Sequence, residues 1–171
     1  MSSTHFRKGE REDADGVARV WVRSWQEAYT GLLTPEEIDA LTIDVRREHW
    51  TSALQEEVGS RWVAEIAGEI VGFLIARPSP DDDLDPATTG EVSALYLVAS
   101  AHGRGVGSGL VERALDDLRA RSFEDAALWV LSGNSPAIAF YEHTGWTFDG
   151  GRKDCFGGAD APALRYRRTL N

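Results

Sequence analysis

The sequence predicts an α/β fold in which a mixed β-sheet is covered by helices, and three observations carry the prediction. In the first third, Val17, Val20, Trp21, Trp25, Ala28 and Tyr29 recur at helical spacing. From Arg61 the texture turns to β-prone apolar runs broken by tight-turn residues. Beyond Glu91 the two patterns alternate, strand, helix, strand, helix, before a closing pair of strands.

Taken in order, residues 5–8 form a short first strand, and Asp13 is the expected N-cap of the helix that carries Trp21 and Trp25. Thr34 before Pro35 and Glu36 reads as a cap followed by proline at the first helical position, and a further helix spans residues 45–54. "RWVAEIAGEIVGFLIARP" reads as two strands joined by a tight turn at Ala67-Gly68. The next segment, "PSPDDDLDPATTG", is rich in proline and aspartate and reads as an exposed loop. A strand over 91–98 leads through a glycine-rich segment into a helix over 107–121, and "AALWVLSG" is the strand after it. "NSPAIAFYEHTGW" is a capped helix ending at Gly145, and strands near 152–156 and 164–170 close the chain as a hairpin.

Composition bounds the function. A chain of 171 residues is most simply one domain, and 42% hydrophobic with 27% charged residues is the balance of an ordinary globular protein. No apolar run reaches the length of about 18 residues that a membrane span needs, and the first residues lack the apolar stretch of a secretory signal. The lone Cys155 forms no internal disulfide, so a cytoplasmic location is expected. No pair among His5, His49, His102 and His143 has metal-ligand spacing, so no metal is expected. A formal charge of −10 argues against a nucleic-acid surface and mildly favours cationic or amine-bearing partners.

The segment that asks for chemistry is "HGRGVGSG", with glycine at 103, 105, 107 and 109 where a strand hands over to a helix. The first N–H groups of a helix have no partner inside it, and the helix dipole adds partial positive charge there. Glycine lets successive amides turn toward one anion and approach it closely, so a phosphate is the natural occupant. A P-loop would need a lysine after Gly109, and a dinucleotide fold would place an acid at the end of the following strand. Glu124 and Asp125 instead precede that strand, so both readings fail.

The segment resembles the acyl-CoA pyrophosphate loop of the GCN5-related N-acetyltransferases, the GNAT family, whose [Q/R]-x-x-G-x-[G/A] motif falls on His102-Gly103-Arg104-Gly105-Val106-Gly107. The chain departs from the family at His102, where glutamine or arginine is usual. "GEVSALYLV" is similar to the family's fourth strand, and "NSPAIAFYEHTGW" to its N-x-x-[AS]-x-x-[FL]-Y-x-x-x-G-[FW] signature, so the specific match covers residues 91–148. "SWQEAYTGLLTPEEID" also resembles a bacterial branch of the family, which extends the likeness over most of the chain. The resemblance implies a single GNAT domain over 1–171, with a mostly antiparallel twisted sheet of about seven strands, helices on both faces and a splayed central strand pair.

It also implies a reaction: direct transfer of acetyl from acetyl-CoA to a primary amine in a ternary complex. Main-chain groups of Leu97 and Val98 would meet the pantetheine arm and the thioester, and the amides of Gly103, Arg104, Gly105, Val106, Gly107 and Ser108, beside His102, would hold the pyrophosphate. Asn134 would contact the cofactor from the mouth of its helix. Tyr141 would give its proton to the CoA sulfur, the alternative being that it only packs its helix. Glu91 would be the base through a water, the alternative being a solvated glutamate at a strand end. Trp25, Tyr29, the loop 78–85 and Phe156 would build the acceptor pocket, where aromatic rings and an acidic loop would suit a cationic amine. The acceptor would be a small molecule or a peptide, and a homodimer is compatible with the family.

Two rival readings keep the fold. One is a non-catalytic CoA-binding sensor, against which Tyr141 and Glu91 count; the other is an acyltransferase taking a longer acyl group. An acyl-Cys155 route lacks any histidine–carboxylate pair placed by the sequence to activate the thiol.

Overall fold

Ala67 (φ 53°) and Gly68 (φ 82°) are both left-handed, the backbone that a two-residue hairpin needs if its turn is to match the twist of the strands. They join β2 (Ser60–Ile66) to β3 (Glu69–Pro78), as the sequence predicts. The computed structural model describes residues 3–28, 36, 42–56, 58–155 and 162–170. The other elements are β1 (Thr4–Lys8), α1 (Ala14–Ala28), α2 (Ile43–Gln55), β4 (Thr89–Leu97), α3 (Val106–Ala120), β5 (Asp125–Leu131), α4 (Ser135–His143), β6 (Thr147–Lys153) and β7 (Ala163–Thr169). Among the described residues seven strands form one sheet in the order β1-β2-β3-β4-β5-β7-β6. β4 and β5 run parallel, joined through α3, whereas β1–β2, β5–β7 and β6–β7 are antiparallel. Tyr29, Thr34, Pro35 and Phe156 lie outside the described residues.

The chain groups into two units, Met1–Ile75 with Ala94–Ala114, and Ala76–Ser93 with Leu115–Asn171. In the first, Val17, Val20 and Trp21 of α1, Trp50 and Leu54 of α2, Phe73 and Leu74 of β3 and Leu110 and Val111 of α3 are all buried. Asp13 does not cap α1 as expected. It ends a 3-10 turn over Arg11–Asp13, where its carboxylate accepts the N–H of Glu10 at 2.8 Å. Arg7 of β1 also donates both terminal nitrogens to it, at 2.7 and 2.8 Å, and reaches Glu65 of β2 at 2.6 Å. This cross-link explains a nearly buried aspartate at that position.

α3 includes Gly107 and Gly109 in its first turns, and each costs about 1 kcal/mol relative to alanine. Burial of Val106, Leu110 and Val111 outweighs that, at about 1.5–3 kcal/mol for a side chain of this size. Gly109 has a separate reason to be glycine. A Cβ there would lie 2.3 Å from Phe6 Cζ, and the Phe6 ring is covered on a face by the Arg113 guanidinium at 4.0 Å.

In the second unit the centre is a buried cation. Arg165 of β7, 8% exposed at its side chain, donates to Asp149 (2.7 Å), Asp83 (2.7 Å) and Asp81 (3.2 Å). Asp81 also accepts from Lys153 Nζ at 3.0 Å and Trp129 Nε1 at 2.9 Å. The aspartate-rich segment expected to be a free loop is therefore pinned at Asp81 and Asp83, while Asp82 and Asp85 remain exposed. The strand expected at 152–156 begins instead at Thr147. Its ladder with β7 shifts register between Phe148 and Arg152, across Gly150 (φ 94°), so residues that read as a turn form a bulge within the strand.

Two outcomes follow. Gly109→Ala is expected to destabilise the protein by about 1–3 kcal/mol through overpacking against Phe6, more than the ~1 kcal/mol that alanine adds to a helix. Thermal melts would show the loss, and Phe6→Leu in the same background would recover part of it. Arg165→Leu is expected to cost about 1–3 kcal/mol at neutral pH, because it takes a hydrogen-bonded cation from the largely buried Asp81 and Asp149 carboxylates, Asp81 keeping Lys153. Arg165 hydrogen bonding holds the Asp83 pKa down to about 2. A depressed carboxylate stabilises above its unfolded value of about 3.9 and loses that effect as pH falls through the folded value. The gap between wild type and variant should therefore narrow from pH 4 toward 2, which melts across that range would check.

Candidate active site

Gly103 and Gly105 have φ of 69° and 76°, a backbone that side chains rarely adopt, and a Cβ at either would meet nothing within 4 Å. Two left-handed residues flanking Arg104 turn the chain from a 3-10 turn over Ala99–Ala101 into α3. The first helical bond is donated by Gly109 to the Gly105 carbonyl at 2.9 Å, so the amides of Val106, Gly107 and Ser108 stand ahead of the ladder. His102, Gly103, Arg104, Gly105 and Ser108 are exposed, Gly107 is half-buried, and Val106 is buried. This is a cradle of main-chain donors on a positive helix end, open on the side where side chains are missing, and it fits a diphosphate. Three of the four alternating glycines thus divide the work, Gly103 and Gly105 for the turn and Gly109 for packing.

The end of β4 is gripped from α1. Ser24 Oγ donates to the Leu97 carbonyl at 2.9 Å, and Glu27 Oε2 accepts the Ala99 N–H at 2.8 Å. The Val98 N–H is committed to the Val71 carbonyl at 3.0 Å and the Val98 carbonyl accepts the Ala101 N–H at 2.9 Å. Val98 is buried and Leu97 half-buried, so Leu97 is the more accessible of the two to a ligand. Nothing in the sequence marks Ser24 and Glu27, since polar helix residues face water by default. Trp25 lies in an aromatic group, 5.2 Å from Trp21, which is 6.5 Å from Tyr96 of β4. The Arg46 guanidinium of α2 lies 4.0 Å over Trp21.

In the second unit Glu91 is not the solvated strand-end residue of the alternative reading. It is the third residue of β4, 5% exposed, with Arg77 Nε 3.2 Å from its carboxylate. Burial raises its pKa, and the charge and hydrogen bond of Arg77 offset this only in part. Burial also pushes the nearby Asp81 carboxyl up, but the hydrogen bonds from Lys153, Trp129 and Arg165 together hold it below its ordinary value. Of these two neighbouring carboxylates, Glu91 is the one whose affinity for a proton is raised and Asp81 the one whose affinity is lowered. The β4–β5 ladder pairs Thr89–Val92 with Asp125–Leu128 and ends there, although β4 continues to Leu97 and β5 to Leu131.

Tyr141, in the last turn of α4, is buried with its ring 6.1 Å from Trp146 and 5.3 Å from Phe140. Its carbonyl accepts the Trp146 N–H at 3.0 Å, which closes the helix at Gly145 (φ 89°). Asn134 is the N-cap of that helix, its side-chain oxygen accepting the Ala137 N–H at 3.3 Å, and is exposed. His5 contacts Glu65 at 3.4 Å, His49 is stacked edge-on against Trp50 at 4.6 Å, and His102, His143 and Cys155 are exposed. Among the described residues no helix is long and apolar enough to cross a membrane. The cations that sequence reasoning missed are Arg77, which meets Glu91 across 14 positions from the preceding strand, and Lys153 and Arg165, which reach Asp81 across 72 and 84 positions.

Comparison with known proteins agrees with this fold. An N-acetyltransferase of Archaeoglobus fulgidus, itself uncharacterized, is 30% identical over 136 residues, 80% of this chain and 88% of that protein. The crystal structure of the PaiA N-acetyltransferase from Thermoplasma acidophilum in complex with coenzyme A superposes with a TM-score of 0.74 at 18% identity, over 98% of this chain and 99% of that one. YncA of Salmonella typhimurium, solved with its cofactor acetyl-CoA, gives 0.73 at 16% identity over 99% and 95% of the two chains. The family model for the Acetyltransferase (GNAT) family matches residues 19–146. With the seven-stranded sheet, the glycine turn and the capped helix of Tyr141 accounted for, the chain belongs to the GNAT family of acetyltransferases.

Proposed function

We propose that the chain is a single catalytic domain over residues 1–171 that moves the acetyl group of acetyl-CoA directly onto a primary amine. The observation that carries this reading is the left-handed pair Gly103 and Gly105, which opens a row of main-chain amides at the place where the family motif falls. In this reading the amides of residues 103–108 hold the diphosphate, and the Leu97 carbonyl and Asn134 steady the rest of the cofactor. The early end of the β4–β5 ladder at Val92 and Leu128 supports the same role for the end of β4.

Two proton movements complete the transfer. As the amine nitrogen bonds to the acetyl carbon, Glu91 takes a proton from it through a water. As the carbon–sulfur bond breaks, Tyr141 gives its phenolic proton to sulfur, so that CoA leaves as the thiol. Support for Glu91 is its burial beside Arg77, which raises its affinity for a proton without removing its charge partner. For Tyr141 it is the fixed ring position against Trp146 on a helix capped at both ends. A phenol (pKa about 10) can protonate a thiolate (about 8.5) at a cost of only about 2 kcal/mol.

Release of CoA thiol with a panel of amines tests the activity, and no release with any amine would end this reading. Tyr141→Phe is expected to lower kcat by about 10²–10⁴-fold, with acetyl-CoA affinity by calorimetry changed only a few-fold. Glu91→Gln is expected to lower kcat and to remove the acidic limb of the pH–rate profile. The same change should raise the melting temperature at neutral pH. A carboxylate whose pKa is raised by folding costs stability as pH climbs above its unfolded value of about 4.3, and glutamine has no such cost. The two melting temperatures should converge below about pH 4, and an unchanged difference there would argue against a buried charge at Glu91.

A further inference from the structure

We propose that Arg46 reads an acidic group on the acceptor, so that the amines this chain favours also carry a carboxylate. The inference rests on the transferase reading and adds to it a substrate class. Arg46 differs from Arg47 beside it and from Arg7 of β1. Arg47, next to it, pairs with Asp15 and Asp44, and Arg7 pairs with Asp13 and Glu65. Among the described residues Arg46 has no carboxylate partner; its guanidinium lies on the face of Trp21, 4.0 Å from the ring centroid.

A planar guanidinium stacked on a ring keeps its N–H edge available, and two of those donors match the two oxygens of a carboxylate. Arg46 is half-buried, so an ion pair there is less screened than one on an open surface. Tyr96 lies beside it. Burial raises the Tyr96 pKa, against the lowering influence of the Trp25 and Trp21 indoles and the Arg46 charge, so its hydroxyl stays protonated at neutral pH. That makes the phenol a neutral second donor. Trp25 and Tyr96 are half-buried, and the part of each ring that remains accessible offers surface to the carbon skeleton of the same acceptor. The opposite preference, for a polyamine, would lean on the acidic loop, yet Asp81 and Asp83 are already committed to Arg165 and Lys153.

The test uses matched pairs, L-phenylalanine with its amide and L-methionine with its amide, together with spermidine, on the full chain. CoA-thiol release gives kcat/KM, and calorimetry in the presence of coenzyme A gives binding without turnover. Each acid is expected to exceed its amide by about tenfold or more in both readouts. Arg46→Gln should bring that ratio close to one, with Arg46→Lys in between, since lysine keeps the charge but loses the fork; circular dichroism melts confirm that both variants fold. Equal treatment of acid and amide, a preference for spermidine, or an unchanged ratio in Arg46→Gln overturns the proposal. Acetylation without acid preference would leave the transferase reading standing and remove this one. Acid-selective binding that depends on Arg46, with no CoA release from any amine, would do the reverse.

Discussion

The candidate site depends on one stretch of backbone, Gly103-Arg104-Gly105, whose two left-handed glycines decide which way the following amides point. An L-residue in that region costs about 1–2 kcal/mol, and a side chain there would also occupy the space that the turn leaves open. The turn determines where α3 begins and therefore which N–H groups stand ahead of its hydrogen-bond ladder. It also explains why α3 tolerates two glycines near its start. The apolar stripe behind it is strong enough to hold a helix whose first turns are shaped for function.

What could be read directly from the residues was mostly local. The Ala67-Gly68 hairpin, the glycine turn and the Asn134 cap each depend on residues within a few positions of one another, so the chain's own chemistry announces them. The start of β6 was not legible, because Asp149, Gly150 and Gly151 spell a turn. Only the ladder with β7 turns them into a bulge, with Gly151 packed so closely on Arg165 that a Cβ would lie 2.8 Å from the Arg165 side chain. The Arg165 network was illegible for a stronger reason: its carboxylates lie up to 84 positions away in sequence. Asp13 reads locally as the N-cap of α1, but its bond to Arg7 of β1 depends on tertiary placement, which periodicity does not reveal.

The charge of −10 describes the chain poorly at the scale where chemistry happens. Asp81, Asp83 and Asp149 are held by one buried arginine, and Asp13 and Glu65 by another of limited exposure. Carboxylates spent in this way fix structure and contribute little to an outward field. Glu91 differs from Asp81, since burial outweighs the pull of Arg77 and Lys153 and leaves it with a raised affinity for protons. Counting acids would have missed that difference, because it arises from desolvation and pairing.

α1 carries more of this logic than its sequence suggests. Trp21 and Trp25 build the aromatic group with Tyr96, while Ser24 and Glu27 of the same helix hold the Leu97 carbonyl and the Ala99 N–H. Glu27 is steadied in turn by Arg23, one turn back, at 3.1 Å. The side chains that hold the end of β4 and the indoles that would receive an acceptor are therefore mounted on one rigid element. A shift of α1 along its axis would move both together, so the register between aromatic surface and strand end is kept by helix geometry rather than by contacts that must be tuned separately.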